Sequence, residues 1–467
     1  MSLPEDFVVE LNAHTTLVDG GAGLIGGSPT RYIRLSAAAQ NELHHRRVSA
    51  ATSVGASLAD KLLDLAMAEP YVELLPDLPL GYTVVIPVMD RAIELERLLA
   101  SVRASTSAIS PRIIVVDDGS AIPAAIENVA RKYSAEFLGL PENLGPAGAR
   151  NAGLAQVNTE MVVFLDSDLI INSETIPTLL RHFADPKVAI AVPRVMALDT
   201  GSNWIAQYEA ARSSLDLGPT AAAVKPRSPM AWASSAALVA RKSALGSGFD
   251  QDMRVGEDVD LIWRTSQAGW RIRYEPAAIV EHEHRITFRS WFARKADYGS
   301  GAVPLAQRHP NLIAPAIMAP WGVALMASLI AQRKWSLPLA TGIAIWAAIR
   351  SSRQLASAQD PLVLGVRLTA RGIGSATTQT TALLLKHWWP LTAIACIFSA
   401  RMRKAVLAAT VIDTVVEYDK SPTTLDPVRF TAARRLDDIA YGAGVWLASV
   451  KAWNFKALTP EIFTRKN

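Results

Sequence analysis

An α/β fold with a mainly parallel sheet is what this sequence predicts, on three observations. Over residues 82–300, strand-like runs alternate with amphipathic helical stretches. The runs are apolar throughout, as in parallel sheets covered on both faces. Polar residues then stand just past three of them: Pro87, Asp90 and Arg91 after "TVVI", Asp117 and Asp118 after "RIIVV", and Asp166 and Asp168 after "MVVFL". In such sheets ligands bind beyond the carboxyl ends of the strands.

In chain order, "HTTLVDGGAGLIGG" reads as strand, Asp-Gly-Gly turn, strand. "SPTRYIRLSAAAQNEL" reads as turn, strand and a helix capped by Ser36. "SVGASLADKLLDLAMAEP" places Leu58, Leu62, Leu65 and Ala66 at helical spacing and ends at Pro70. Residues 1–78 are therefore expected to form a small α+β domain, closed by the Pro-broken linker "LLPDLPLG". Residues 79–300 follow as the α/β domain: "YTVVIPV", "RIIVVDDGS", "AEFLGL" and "MVVFLDSD" are strands, and "GPAGARNAGLAQV" is a Gly-rich turn into a helix. Residues 301–467 are an apolar helical region. Residues 311–332 are long enough to span a bilayer, which takes about 20 residues. "WSLPLATGIAIWAAI" and "HWWPLTAIACIFSA" are shorter, with basic residues and tryptophans near their ends. Membrane association is expected, by hairpins or by helices lying in the interface. The alternative is a helical domain packed on the catalytic one.

Composition agrees. The chain is 50% hydrophobic and only 19% charged, with a net charge of +4. No basic stripe of the kind that binds nucleic acid is present. The single cysteine, Cys396, excludes an internal disulfide and suits a reducing compartment. The N-terminus does not read as a secretory signal.

Four carboxylates at one sheet rim repel one another and call for a cation. Oxygen ligands suit Mg²⁺ or Mn²⁺, which bridge to phosphates. The rim is thus suited to a nucleotide diphosphate and a divalent metal, the plainer reading being loop acids that cap helices.

Over about residues 82–300 the sequence resembles the family 2 glycosyltransferases, which have the GT-A fold. "VVIPVMDR", "IIVVDDGS", "NLGPAGARNAGL", "FLDSD" and "GFDQDMRVGEDVDLIWRTSQAGWRIRYEPAAIVEH" carry the resemblance. It implies a hexosyltransferase using a nucleotide sugar and Mn²⁺ or Mg²⁺. It implies that Pro87 and Asp118 contact the base with Asp117 nearby, and that Arg150 lies near the base or diphosphate. Asp166 would reach ribose or metal, Asp168 would hold the metal, and His282 would be a further ligand, with His284 its competitor. Asp258 would be the general base, its pKa raised by Glu257 and Asp260. Direct attack with one base inverts the anomeric centre. Trp232 and Arg264 fall on the acceptor side, with packing and a surface charge as the plain alternatives. The Gln-x-x-Arg-Trp signature of processive synthases is absent from "FRSWFARKADYGSG", which argues against long-polymer export.

The order of N-terminal extension, GT-A core and apolar tail further resembles transferases that extend β-1,4-linked glucose, from UDP-glucose, on the precursor of a peptide-derived redox cofactor. The N-terminal part resembles small winged-helix modules that bind precursor peptides by strand addition; a plain cap on the catalytic domain is the other reading. Two further functions compete: a transferase loading a polyprenyl-phosphate or envelope glycolipid at the membrane, and a nucleotide-sugar-binding scaffold without chemistry. The joint presence of Asp118, Asp166, Asp168 and Asp258 argues against the scaffold. The expected location is the cell membrane with the catalytic domain facing the cytoplasm, where nucleotide sugars are made.

Overall fold

The computed structural model describes residues 2–105 and 111–463. The chain forms two compact units, one of residues 1–200 and 213–284, the other of residues 201–212 and 285–467.

The first unit begins with β1 (Val8–Leu11), β2 (Thr16–Val18), β3 (Gly23–Gly26), β4 (Arg31–Arg34), α1 (Ala37–Glu42), β5 (Leu43–His44), β6 (Arg47–Ser49), α2 (Ser53–Asp64) and β7 (Ala68–Pro70). Strands 2, 3 and 4 form an antiparallel sheet whose first turn is the Asp-Gly-Gly of the sequence. Ser36 caps α1 by accepting from the Ala39 N–H at 3.2 Å. The second helix stops at Asp64, not at Pro70. Ala66 takes a left-handed φ of 52° and turns the chain into β7, which pairs with β1. Phe7, Val9, Leu24, Leu62 and Met67 give this region its own core.

A nine-stranded sheet follows, from β8 (Tyr82–Val88), α3 (Ala92–Ser105), β9 (Arg112–Asp117), α4 (Pro123–Lys132), β10 (Glu136–Gly139), α5 (Gly145–Ala155), β11 (Met161–Leu165), β12 (Leu169–Ile171), α6 (Thr175–Arg181) and β13 (Val188–Ala197). After α7 (Trp204–Arg212), which belongs to the second unit, come β14 (Ala222–Ala223), β15 (Ala237–Arg241), α8 (Glu257–Gln267) and β16 (Arg271–His282). The spatial order is 10-9-8-11-15-13-16-12, with β14 beside β16. Strands 10, 9, 8 and 11 are parallel, as the βα alternation predicts. The rest is mixed: β15 runs antiparallel to β11 and β13, β13 and β16 are parallel, and β12 is antiparallel to β16. The sheet is thus mixed, not mainly parallel. Helices 3, 4 and 6 cover it with Leu95, Leu98, Leu99, Ile126, Leu179 and Leu180. Each such buried side chain contributes about 1.5–3 kcal/mol.

These directions place the carboxyl ends of β8, β9, β11 and β16 on one edge. The antiparallel β15 starts at that same edge. At the opposite edge, where β16 begins, Arg271 pairs with Asp60, Asp64 and the fully buried Asp185, and Arg273 pairs with Glu69 at 2.9 Å. Asp60 also accepts from Lys187. These charges join the N-terminal region to the sheet.

The second unit holds, besides α7, α9 (Phe288–Ser300), α10 (Ala302–Arg308), β17 (Ile317–Met318), α11 (Pro320–Ala331), α12 (Ser336–Gln354), α13 (Pro361–Ala382), α14 (Trp389–Phe398), α15 (Ala400–Lys420), α16 (Pro427–Ala452) and β18 (Glu461–Ile462). The expected span over 311–332 is not one helix. Residues 317–318 pair with β18, Pro320 opens α11, and its 12 residues cover about 18 Å, short of a bilayer core. Among the described residues no single helix is long and apolar enough to cross a membrane.

Candidate active site

Each strand at the shared edge ends in a short turn fixed by its own polar groups. Past β8, Asp90 adopts a left-handed φ of 55°. Its N–H donates to Ser120 Oγ at 2.8 Å, and its Oδ1 accepts from the Ala121 N–H at 2.7 Å. At the last residue of β9, the buried Asp117 accepts from the Ser120 N–H at 3.2 Å and from its hydroxyl. Gly119 turns the chain between them at a φ of 77°, where a Cβ would sit 3.0 Å from the Asn143 nitrogen. Pro87 lies opposite Val116 in the register. The structure therefore brings Pro87, Asp117 and Asp118 to one corner.

Asp118 connects that corner to the Gly-rich helix. Its N–H donates to the Val88 carbonyl, and its Oδ1 accepts from the Leu144 N–H at 2.7 Å, ahead of α5. Burial pushes its carboxyl above the usual range. Gly145, at φ 77°, lets Arg254 lie across the start of α5: a Cβ there would come within 2.6 Å of Arg254 Nη1. Arg254 also donates to Asn143 Oδ1 at 3.1 Å.

The two carboxylates after β11 have different partners. Asp166 accepts from Arg150 Nη2 at 2.6 Å. Asp168 pairs with Arg91, and its Oδ1 lies 3.5 Å from His282 Nε2. Burial opposes ionisation of Asp168, but His282 and Arg91 outweigh it and hold the carboxyl below its ordinary value. His282 in turn meets His284, Nδ1 to Nδ1, at 3.2 Å. One of the two must donate and the other accept. Two donors on one octahedral ion with bonds near 2.1 Å stand about 3 Å apart, so Asp168 and His282 fit adjacent ligand positions. Among the described residues no group of three or more His, Cys, Asp or Glu that could hold a metal occurs. Further ligands would have to come from substrate and water.

Arg150, expected near the base or diphosphate, is buried between carboxylates. Besides Asp166 it donates to Glu257 Oε1 at 3.1 Å, and its guanidinium stacks 5.3 Å from the Phe249 ring centre. It bridges the β11 turn to α8. Glu257 and Asp258 open that helix, behind Gly256 at a φ of 86°, where the exposed N–H groups favour negative charge. Asp258 accepts from the Val259 N–H at 2.8 Å and from the Ser235 N–H at 3.4 Å. Burial raises its pKa. Burial, then the Asp258 charge, push Glu257 up to about 7.

Ser235 belongs to the loop before β15 that carries the half-buried Trp232. Trp263 Nε1 fixes that loop by donating to the Ala231 carbonyl at 2.7 Å. Arg264, expected on the acceptor side, is committed elsewhere: it donates to the fully buried Asp260 at 2.7 Å and to the Gly248 carbonyl at 2.6 Å. An i,i+4 pair is the local reason. Arg91 and Arg254 join the site without having been singled out as ligands. Position after a strand end was the signal for Arg91; the approach of Arg254 to Gly145 joins distant residues and left no local signal.

A model of the family described as glycosyl transferase family 2 matches residues 83–244. The chain is 41% identical, over 99% of its length and 99% of the relative's, to the pre-mycofactocin glycosyltransferase of Mycobacterium tuberculosis. The chain belongs to glycosyl transferase family 2. As a family 2 glycosyltransferase it is also 30% identical to an N-acetylglucosaminyltransferase of Rhizobium meliloti, over 36% of this chain and 43% of that one. Solved structures with the GT-A-like fold include a mannosyltransferase from Pyrobaculum calidifontis in complex with GDP-Man and Mn²⁺, with 19% identity, 64% of this chain and 87% of that one covered, and a TM-score of 0.38. Another is S. aureus TarS 1-349, at 15% identity, 80% and 92% coverage and a TM-score of 0.39.

Proposed function

We propose that this glycosyltransferase transfers a hexose, glucose from UDP-glucose, onto premycofactocin, extending a β-1,4-linked chain with inversion at each step. The end-to-end identity of 41% to the pre-mycofactocin glycosyltransferase of Mycobacterium tuberculosis is the observation that carries this reading. The chemistry of the edge is compatible with it. Asp168 and His282 would hold a divalent cation, which supplies charge neutralisation for the departing diphosphate. Pro87 and Asp118 would line the base. The acceptor hydroxyl oxygen attacks the anomeric carbon, the bond to the diphosphate oxygen breaks, and the hydroxyl proton passes to Asp258. Arg150 keeps Asp166 and Glu257 in place beside it.

The test is transfer of label from UDP-glucose to premycofactocin in the presence of Mn²⁺, with the Asp258→Asn chain as control. Label in a small water-soluble product, lost in the control, supports the proposal. Label reaching only a butanol-soluble product supports a transferase loading a lipid carrier. The exposed apolar side chains of the second unit are the observation that favours that second reading.

A further inference from the structure

The second unit leaves large apolar side chains in water. On α14, Leu391 and Ile394 are half exposed, Ile397 is 70% exposed and Phe398 is 83% exposed; on α12, Trp346 is half exposed. Apolar patches of this kind mark an interaction surface. Its charge says what covers it. Between residues 320 and 412 the sequence has ten Lys and Arg and a single acid, Asp360. Arg401, Arg403 and Lys404 follow α14 directly and are exposed. Arg350 stands 5.3 Å over the Trp346 ring. A second copy of the chain would oppose these cations with cations. An apolar and basic surface with a single acid is complementary to anionic lipid headgroups over acyl chains.

Helix geometry fixes the mode. The bend between the segments Pro361–His387 and Trp389–Phe398 is 89°. The ten residues of α14 are about 15 Å long, half of a bilayer core. We infer that the second unit binds one leaflet of an anionic membrane, with α14 seated in the acyl boundary and the basic residues at the start of α15 against the phosphates, without crossing.

The only cysteine of the sequence, Cys396, lies inside α14, next to Ile397. A fluorophore sensitive to polarity, attached there in the full chain, reads the insertion directly. Vesicles of equimolar phosphatidylcholine and phosphatidylglycerol should raise and blue-shift its emission, and lipids carrying a quencher near the headgroup should quench it more than lipids quenching at the bilayer centre. Phosphatidylcholine alone should bind at least tenfold more weakly. The double variant Ile397→Glu/Phe398→Glu, whose changes fall on exposed positions and spare the core, should lose vesicle co-sedimentation while keeping its circular dichroism. Equal binding to both vesicles, strongest quenching from the bilayer centre, or an unchanged double variant would overturn the inference. So would concentration-dependent self-association that buries the label without vesicles.

Discussion

Arg150 donates to Asp166 at 2.6 Å, and so ties the carboxylate after β11 to the helix that starts with Glu257. The arginine is almost fully buried, so water does not readily take its place. Its removal would leave carboxylates without their counter-charge in a poorly hydrated place. Arg150→Met is expected to lower stability by about 3–5 kcal/mol, measured by urea denaturation. Arg150→Lys should restore part of the stability but not the bidentate bridge. It should therefore still turn over more slowly than the parent.

The acid pair at the start of α8 sets the pH dependence. Asp258 has to be ionised to take a proton, and burial makes that harder. Glu257, with its pKa near 7, adds a second proton to the same pair. Turnover should thus fall on the acid side, at a higher pH than an ordinary aspartate would set, and level off above it. Glu257→Gln removes a neighbouring negative charge, which eases ionisation of Asp258. The acid limb of its kcat/KM profile should move to lower pH. An acid limb that stays in place in that variant would remove the coupling from the account.

Arg91 is the standing partner of Asp168. A divalent cation at Asp168 and His282 would compete with that guanidinium. Arg91→Gln should raise Mn²⁺ affinity of the free chain by up to about fivefold, the scale of a partly exposed ion pair. Asp168→Ala should abolish the binding. Calorimetric titration with MnCl₂ measures both.

Arg271 serves three carboxylates, of which Asp185 is fully buried. Arg271→Ala would leave Asp185 charged and unmatched. A loss of about 3–5 kcal/mol is expected. Asp64→Asn, which changes a side chain that is itself half exposed, should cost less than about 1 kcal/mol. Thermal and urea unfolding of the two variants should separate them clearly.

Much of the first unit is legible in the sequence because its strands are apolar without interruption and end in acids. β8, β9 and β11 are found that way, and so are the turns at Asp117–Ser120 and Gly145. The antiparallel half of the sheet is less legible: β15, "ALVAR", is too short to declare its direction, and only pairing with β11 and β13 sets it. Pairings between distant residues were equally hidden. Arg150 and Glu257 are 107 positions apart, and no local pattern couples them. Residues 311–332 show the limit of hydropathy. Composition alone does not distinguish a continuous span from a short strand followed by a Pro-started helix, and the pairing of Ile317 with Glu461 decides for the latter.

Strand β16 carries Arg271 at its first residue and His282 at its last. Twelve residues of strand extend about 40 Å at most, so one strand, with an irregularity between Glu275 and Ile279, runs like a beam from the N-terminal region's anchorage to the histidine beside Asp168. Chimeras are the practical consequence. A foreign N-terminal region lacking the counterparts of Asp60, Asp64 and Glu69 would unseat one end of that beam. Its fault would surface at the other end, as weakened donor binding in a chain whose catalytic motifs had been left untouched.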